Sequence, residues 1–202
     1  MQKVKAISII AVFLSTVCLG SVCGLCGEEP SNAVPEEALR VVARLFDGST
    51  LKSIPVDRRE MIVTHGITSG LYGVIFYTAE GFRPMVTVFQ AAADRVGIEA
   101  PPLPQIEDPS RGIVIGVVAS VVSGGKLKAR QGIRQVFGGE SVELAKERVS
   151  ASMTTDQNGV FVFTVPPGEY RISLSGREAG RVHVEAGRTT VKNLPKGVML
   201  VD

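Results

Sequence analysis

Tryptophan is absent from this chain, and aromatic residues make up only 5% of its 202 residues. The hydrophobic fraction is nevertheless 45%, so valine, isoleucine and leucine must form most of the core. Side chains branched at Cβ suit a pleated sheet, and the composition therefore favours strands. The missing tryptophan also removes the ring on which sugar-binding sandwiches commonly stack their ligands, which leaves Tyr72, Tyr77 and Phe82 as the aromatic candidates for such a role.

Cysteine is confined to the N-terminal segment, at Cys18, Cys23 and Cys26. The rest of the chain contains none, so neither a disulfide framework nor thiol chemistry is available to it. Each of the last two cysteines follows a large residue, Val22 or Leu25, whereas a lipidated cysteine normally follows a small one. The sequence therefore disfavours lipidation of Cys23 or Cys26.

Histidine is almost as scarce, with only His65 and His183 in the chain. A zinc site needs three or four clustered nitrogen, sulfur or oxygen ligands, and no carboxylates are spaced to complete one. His183 alternates with Arg181 and Glu185, which indicates a solvated strand face. We predict no metal, no cofactor and no enzymatic activity. A hydrolase centred on His65 remains an alternative to this prediction, ranked third among the functions considered.

The segment Met1–Gly27 differs in character from the rest. Lys3 and Lys5 precede an uncharged run over Ala6–Leu19, and small residues follow. This layout predicts a secretory signal peptide, cleaved after Gly24 or Gly27, or an N-terminal anchor if the segment stays attached. We expect an exported protein that is periplasmic, in the outer envelope or extracellular, with membrane contact only through this segment if it is uncleaved or lipidated.

The formal net charge of the chain is +2, and loss of Lys3 and Lys5 with the signal brings it to zero. Neutralising phosphates along a nucleic acid requires surplus lysine and arginine. We therefore predict no nucleic-acid binding. An envelope or surface protein is the expected partner.

The body of the chain divides into two predicted modules. Residues 38–97 form a small β module, residues 98–111 form a linker, and residues 112–202 form a β-sandwich. The linker assignment rests on four prolines, Pro101, Pro102, Pro104 and Pro109, which lack a backbone donor and stiffen the chain.

Two segments of the first module carry specific expectations. Leu71–Thr78 is apolar on both faces, which is typical of a central strand covered on both sides. Gln90–Val96 is predicted to form one or two helical turns that end at Gly97.

The segment 150–175 is the most informative part of the second module. It contains three strand-like runs separated by two turn signals, Asp156–Gly159 and Pro166–Gly168. We expect a meander with a tight hairpin at Asn158-Gly159, whose apolar face needs a second sheet to cover it. The predicted fold class is all-β, an Ig-like β-sandwich.

The second module also resembles a known family, the carboxypeptidase regulatory-like domain. The matching residues are Ile115-Gly-Val-Val118, Ser141-Val-Glu-Leu144, Thr155-Asp-Gln-Asn-Gly-Val-Phe-Val-Phe163, Val165-Pro-Pro-Gly-Glu-Tyr170 and Val184-Glu-Ala-Gly187. The resemblance implies a transthyretin-like β-sandwich that acts as an accessory module of an exported protein. The first module looks like a degenerate member, from Gly70 to Pro84.

The resemblance does not extend to peptidase chemistry, because the family's zinc peptidase is a separate domain with a His-x-x-Glu ligand pair. Here His65 is followed by Gly-Ile-Thr. We therefore expect a non-catalytic cell-envelope protein with a structural or protein-binding role.

The alternative function is an accessory module that binds carbohydrate or an anionic polymer. Its candidate site is either a basic loop carrying Lys126, Lys128, Arg130 and Arg134 or the turn at Gly66–Gly70. A charged loop is more often simply solvated, and the two functions remain open at this point.

Overall fold

A computed structural model of the chain describes residues 41–55, 62–65, 67–92, 95–98, 100–124 and 132–201. Across these ranges the protein contains fifteen strands and no helix, which confirms the predicted all-β class. The predicted signal segment lies outside the described residues. No helix within the described ranges is long and apolar enough to span a membrane.

The first module contributes six strands. They are β1 (Val42–Phe46), β2 (Leu51–Pro55), β3 (Ile62–His65), β4 (Tyr72–Thr78), β5 (Met85–Gln90) and β6 (Arg95–Ile98).

The second module contributes the other nine strands of the described chain. They are β7 (Gly112–Gly124), β8 (Gly132–Val136), β9 (Ser141–Lys146), β10 (Val149–Thr154), β11 (Val160–Val165), β12 (Gly168–Leu174), β13 (Arg177–Val184), β14 (Thr189–Val191) and β15 (Leu194–Val201).

Two main sheets form a β-sandwich. The larger has nine strands, with β11-β7-β8-β4-β1-β2 as its path, β14 and β15 paired to β7, and β5 paired to β4. The smaller has the order β10-β9-β12-β13, and β3 pairs with β6 separately. The larger sheet is mixed, because β14 and β15 run parallel to β7 while its other pairs are antiparallel.

Three apolar clusters hold these layers together. The first lies between the two sheets and contains Val114, Val118, Val142, Leu144, Phe161, Phe163, Val165, Tyr170, Ile172, Val182, Val184 and Leu194. Gly116 has the same parity as Val114 and Val118, and a Cβ there would lie 1.9 Å from the Lys192 carbonyl oxygen and 2.6 Å from Cζ of Phe161. A residue without a side chain is thus needed for the Lys192 backbone and this ring to pack against β7.

The other two clusters involve the first module. One contains Ala43, Leu45, Ile67, Ile75, Tyr77 and Ala91. The other joins the modules through Val74 and Phe76 on β4, Ile115, Val117 and Ala119 on β7, and Ile133 on β8. The predicted central position of β4 is confirmed, since its residues 73–77 are buried on both faces.

The two modules share one compact unit over Ala38–Asp202. The larger sheet continues from one module into the other where Tyr72 on β4 pairs with Ile133 on β8. Within the predicted linker, Gln105 forms a bridge to Phe82 and the Arg83 amide donates to the Pro104 carbonyl at 2.7 Å. The division into a module at 38–97, a linker at 98–111 and a module at 112–202 remains a prediction.

The predicted meander is wrong in its pairing. β10 and β12 lie in the smaller sheet, whereas β11, between them in sequence, pairs with β7 in the larger one. The turn at Asp156–Gly159 therefore carries the chain from one sheet to the other and closes no hairpin ladder. The three strands still bury their apolar faces in one cluster, because they line it from both sides.

The local chemistry of both turns is as predicted. Gly159 has φ 75°, and Asp156 Oδ1 accepts hydrogen bonds at 2.9 Å from the amides of Asn158 and Val160. The Tyr170 ring is buried, and its hydroxyl donates to the Pro166 carbonyl at 2.8 Å. Turn residues thus determined the reversals of the chain without determining its strand partners.

Further differences concern elements of the first module. The expected helical turns over Gln90–Val96 are absent from the described residues there, since Gln90 ends β5 and Arg95 begins β6. β2 and β6 are strands that the pattern did not indicate. Pairing with β1 and β3 supplies their backbone hydrogen bonds, so tertiary context overrode a weak local preference.

The apolar cluster that contains residues of both modules predicts that the two modules unfold cooperatively. Replacing fully buried Phe76 with alanine removes a side chain that packs against both modules, so we expect a loss of about 3–5 kcal/mol in unfolding free energy. Urea denaturation measures the loss, and hydrogen exchange should show protection falling in both modules in one transition. Leu51→Ala, at a side chain 39% exposed, is the control and should cost far less. Two separate transitions would instead show that the modules unfold independently.

Candidate functional site

A groove lies at one side of the sandwich, between β13 of the smaller sheet and β15 of the larger one. We call it the β13–β15 groove; its volume is about 480 Å³, and it is lined by Glu140, Leu174, Ser175, Arg177, Glu178, Ala179, Pro195, Lys196 and Gly197. Leu174, Ala179 and Pro195 supply apolar surface. Charged and hydroxyl groups surround that surface, which is the usual composition of a binding cleft.

An ion pair at the groove links the two sheets. Lys196 Nζ of β15 binds Glu140 Oε1, and Ser175 Oγ donates to Glu140 Oε2 at 2.9 Å. The same ammonium lies 4.8 Å from the centre of the Phe137 ring, a cation–π distance. Both carboxylate oxygens are therefore occupied, so Glu140 acts as a fixed acceptor here and leaves Ser175 without a free base.

Local backbone irregularities position both partners of Glu140. The pairing of β15 with β7 shifts between Pro195 and Val198, so β15 carries one extra residue in the bulge that contains Lys196. Ser175, at φ 48°, and Gly176, at φ 78°, form a two-residue turn between β12 and β13 of the kind that hairpins favour. A left-handed serine costs energy, and its bonds to Glu140 and to the Ser141 carbonyl hold it there.

The Lys196 ammonium, followed by the Ser175 hydroxyl, holds the pKa of Glu140 below its ordinary value of 4.5. The carboxylate is favoured because both partners donate to its charged form. The groove therefore presents an ion pair at one end at neutral pH, with its negative member largely shielded from solvent.

The sequence did not single out this groove. Its strongest local signal was the Ser175-Gly176 dipeptide, which marks a tight turn. Glu140 and Lys196 are 56 residues apart and carry no motif that relates them. Only the packing of the two sheets brings them together.

The predicted basic loop is described only in part. Lys126, Lys128 and Arg130 lie outside the described residues. Arg134 is an exposed residue of β8, so it belongs to a strand of the larger sheet and not to a loop. The binding role of this cluster remains a prediction.

The two histidines lie on different sheets. His65 pairs with Arg95 through the β3–β6 ladder, and its side chain lies outside the described residues. His183 is exposed on β13, as predicted, with Nδ1 2.5 Å from Glu169 Oε1 and Nε2 3.8 Å from Glu185 Oε1. Within the described ranges, no three His, Cys, Asp or Glu side chains are grouped to hold a metal ion.

Comparison with protein-family models and with curated proteins finds no match. Among solved structures, the chain is similar to the Bacillus anthracis TIE protein, with 13% sequence identity and a TM-score of 0.33. The match covers 77% of this chain and 33% of that protein, so the chain spans about a third of its length. A TM-score this low supports no conclusion about fold or function.

The ion pair at the groove predicts a pH-dependent stability. Glu140→Gln keeps the shape and removes the charge, so we expect it to destabilise the protein at pH 7 by about 1 kcal/mol, a modest value because Lys196 is partly exposed. A lowered folded pKa contributes stability above the unfolded value and loses it as the pH falls. The difference between the two proteins should therefore shrink below pH 4.5.

Urea titrations at several pH values measure this difference. Glu178→Gln, at an exposed glutamate of the same groove, is the matched control. A difference between wild type and Glu140→Gln that stayed constant down to low pH would contradict the assignment of the charge to this pair.

Proposed function

We propose that this chain is an exported, non-catalytic protein of the cell envelope that binds a protein partner through the β13–β15 groove. The observation that supports the binding role is the position of the groove beside a sheet edge. In the order β10-β9-β12-β13, the last strand has no partner on its outer side among the described strands. An extended segment of a partner can add to such an edge while its side chains enter the groove.

The ladder shows which groups of β13 face outward. The Ser175 amide donates to the Ser141 carbonyl of β9. Because backbone groups alternate along a strand, Ser173, two residues earlier on β12, also directs its amide and carbonyl toward β9 and away from β13. Its partner on β13 is Glu178, whose backbone amide and carbonyl consequently face away from β12. These groups lie at the groove and suit a partner strand.

The groove also offers complementary side-chain environments for such a segment. Apolar partner residues fit against Leu174, Ala179 and Pro195, while Arg177 and Glu178 stand at the rim. Main-chain hydrogen bonds supply affinity in this mode of binding and the pocket supplies specificity. The proposed partner contribution is therefore an extended, partly apolar stretch of an envelope protein.

The export part of the proposal rests on the sequence of the segment Met1–Gly27. We expect the natural chain to begin at Leu25 or Glu28, after cleavage behind Gly24 or Gly27. Mass spectrometry of the protein from its native source measures this N-terminus and any lipid on Cys23 or Cys26. Recovery of the chain from the cytoplasm with Met1 retained would contradict export.

The groove proposal predicts a position-specific cross-link. A photo-activated residue at Arg177, on the rim, should cross-link an envelope protein in intact cells, while the same residue at exposed Arg83 should not. Glu178→Pro removes the outward amide without removing a donor to β12, so we expect it to abolish the Arg177 cross-link. Circular dichroism and a thermal melt establish that this variant is folded.

Two results would contradict the groove as the binding surface. One is a cross-link of equal yield from Arg177 in the folded Glu178→Pro variant. The other is the same product from Arg83, which lies in the first module. The alternative function, binding of carbohydrate or an anionic polymer through Lys126, Lys128, Arg130 and Arg134, remains a prediction of the sequence.

A further inference from the structure

Two arginines lie directly opposite each other on the outer face of the smaller sheet. Arg171 of β12 pairs with Arg181 of β13, and both are exposed. Their neighbours in the ladder, Tyr170 and Val182, point into the core instead. We call Arg171 and Arg181 the arginine pair.

The hydrogen-bond pattern brings these two side chains as close as an antiparallel ladder allows. The Ser175 amide donates to β9, so Arg171, four residues earlier in the alternation, also directs its backbone groups toward β9. On the facing strand, the His183 carbonyl accepts from Thr190 Oγ1 at 2.9 Å, so His183 and Arg181, two residues apart, direct theirs away from β12. Arg171 and Arg181 are therefore a non-hydrogen-bonded pair, in which Cα atoms lie about 4.5 Å apart and side chains approach most closely.

Like charges at such a site destabilise the sheet unless something neutralises them. The ion pairs among the described residues include neither Arg171 nor Arg181. The acid on the same face of β12, Glu169, is instead bound by His183 at 2.5 Å. Glu185, near the end of β13, is bound by Arg188 at 2.7 Å.

The arginine pair also lines a shallow pocket of about 260 Å³, together with Ala145, Lys146, Glu147, Glu169 and Tyr170. Ala145 lies opposite Arg171 on β9, and its small side chain leaves room beside the guanidinium. Lys146 Nζ is held 3.2 Å from the Pro167 carbonyl and 5.8 Å from the centre of the Tyr170 ring. Three cationic residues and two acids, Glu147 and Glu169, thus line one depression.

We propose that the arginine pair binds a phosphate group. Each guanidinium is a planar fork that donates two hydrogen bonds to an oxyanion. A carboxylate has only two oxygens and is filled by one fork, whereas a phosphate has enough oxygens to accept from both forks. This site is distinct from the β13–β15 groove and does not depend on the function proposed for that groove.

His183 acts as a positioning residue for the site. Glu169 lies two residues from Arg171 on the same face, so it would compete with a phosphate for the guanidiniums if it were free. The His183 ring holds its carboxylate instead. Loss of His183 should therefore weaken phosphate binding, and loss of the Glu169 charge should strengthen it.

Isothermal titration with inorganic phosphate, at constant ionic strength, tests the site on the purified mature chain. Arg171→Ala and Arg181→Ala should each weaken binding about tenfold, the effect of losing one charge-assisted contact. Glu169→Gln should tighten binding and His183→Ala should weaken it. Arg83→Ala makes the same change of charge on the first module and should leave binding unchanged.

A second arm separates free phosphate from a lipid headgroup. If the phosphate belongs to a lipid, the wild-type protein should co-sediment with vesicles of phosphatidylglycerol and phosphatidylcholine. The Arg171→Ala/Arg181→Ala variant should then stay in the supernatant. Binding of phosphate without binding to vesicles assigns a soluble phosphate ligand.

Three results would overturn the proposal. The first is wild-type protein that binds neither phosphate nor vesicles, and the second is unchanged binding in the folded double variant. The third is binding lost only when Lys126, Lys128 and Arg130 are replaced by alanine, which would assign the anion to the basic loop. Thermal melts of every variant exclude loss of fold as the cause.

Discussion

The burial of β7 on both faces is the constraint on which the rest of the structure depends. Val114 and Val118 face the smaller sheet, whereas Ile115, Val117 and Ala119 face the cluster shared with β4 and β8. The strand also pairs with β8, β11, β14 and β15 through its backbone. Because each of these neighbours obtains its hydrogen bonds or its apolar cover from β7, the second module is organised around this strand. The first module is joined to it through the pairing of β4 with β8 and through the apolar cluster that β4 and β7 share.

Both candidate surfaces follow from how the smaller sheet sits against that strand. β15 runs along β7 with a bulge at Lys196, which aims the ammonium at Glu140 before β9 and so links the two layers. The smaller sheet ends at β13, whose inner face closes the core and whose outer edge, unpaired among the described strands, borders the groove. The outer face of the smaller sheet carries the arginine pair, with Arg171 on β12 and Arg181 on β13. β13 thus packs in the core with one set of alternate side chains and presents polar side chains to solvent with the other. Its backbone forms the free edge of the smaller sheet among the described strands.

Much of the fold class could be predicted from local patterns. The period-2 alternation in Val160–Val165 and in the following strand predicted inward Phe161, Phe163 and Tyr170, and all three are buried. The turn residues Asp156 and Gly159 were recognised by their chemistry. The partner of each strand could not be predicted in this way, because a turn determines that the chain reverses but not which sheet receives it. The meander was expected for that reason, and the chain instead crosses between the sheets.

The sequence by itself determined an all-β chain, the turns at Asp156–Gly159 and Pro166–Gly168, the inward faces of the strands beside them and the composition of the segment Met1–Gly27, since these depend on side-chain chemistry over a few neighbouring positions. The tertiary structure alone decided that Glu140 meets Lys196 and that Arg171 lies opposite Arg181. Contacts between distant residues depend on ladder register and sheet packing, where a shift of one residue would turn each side chain to the other face.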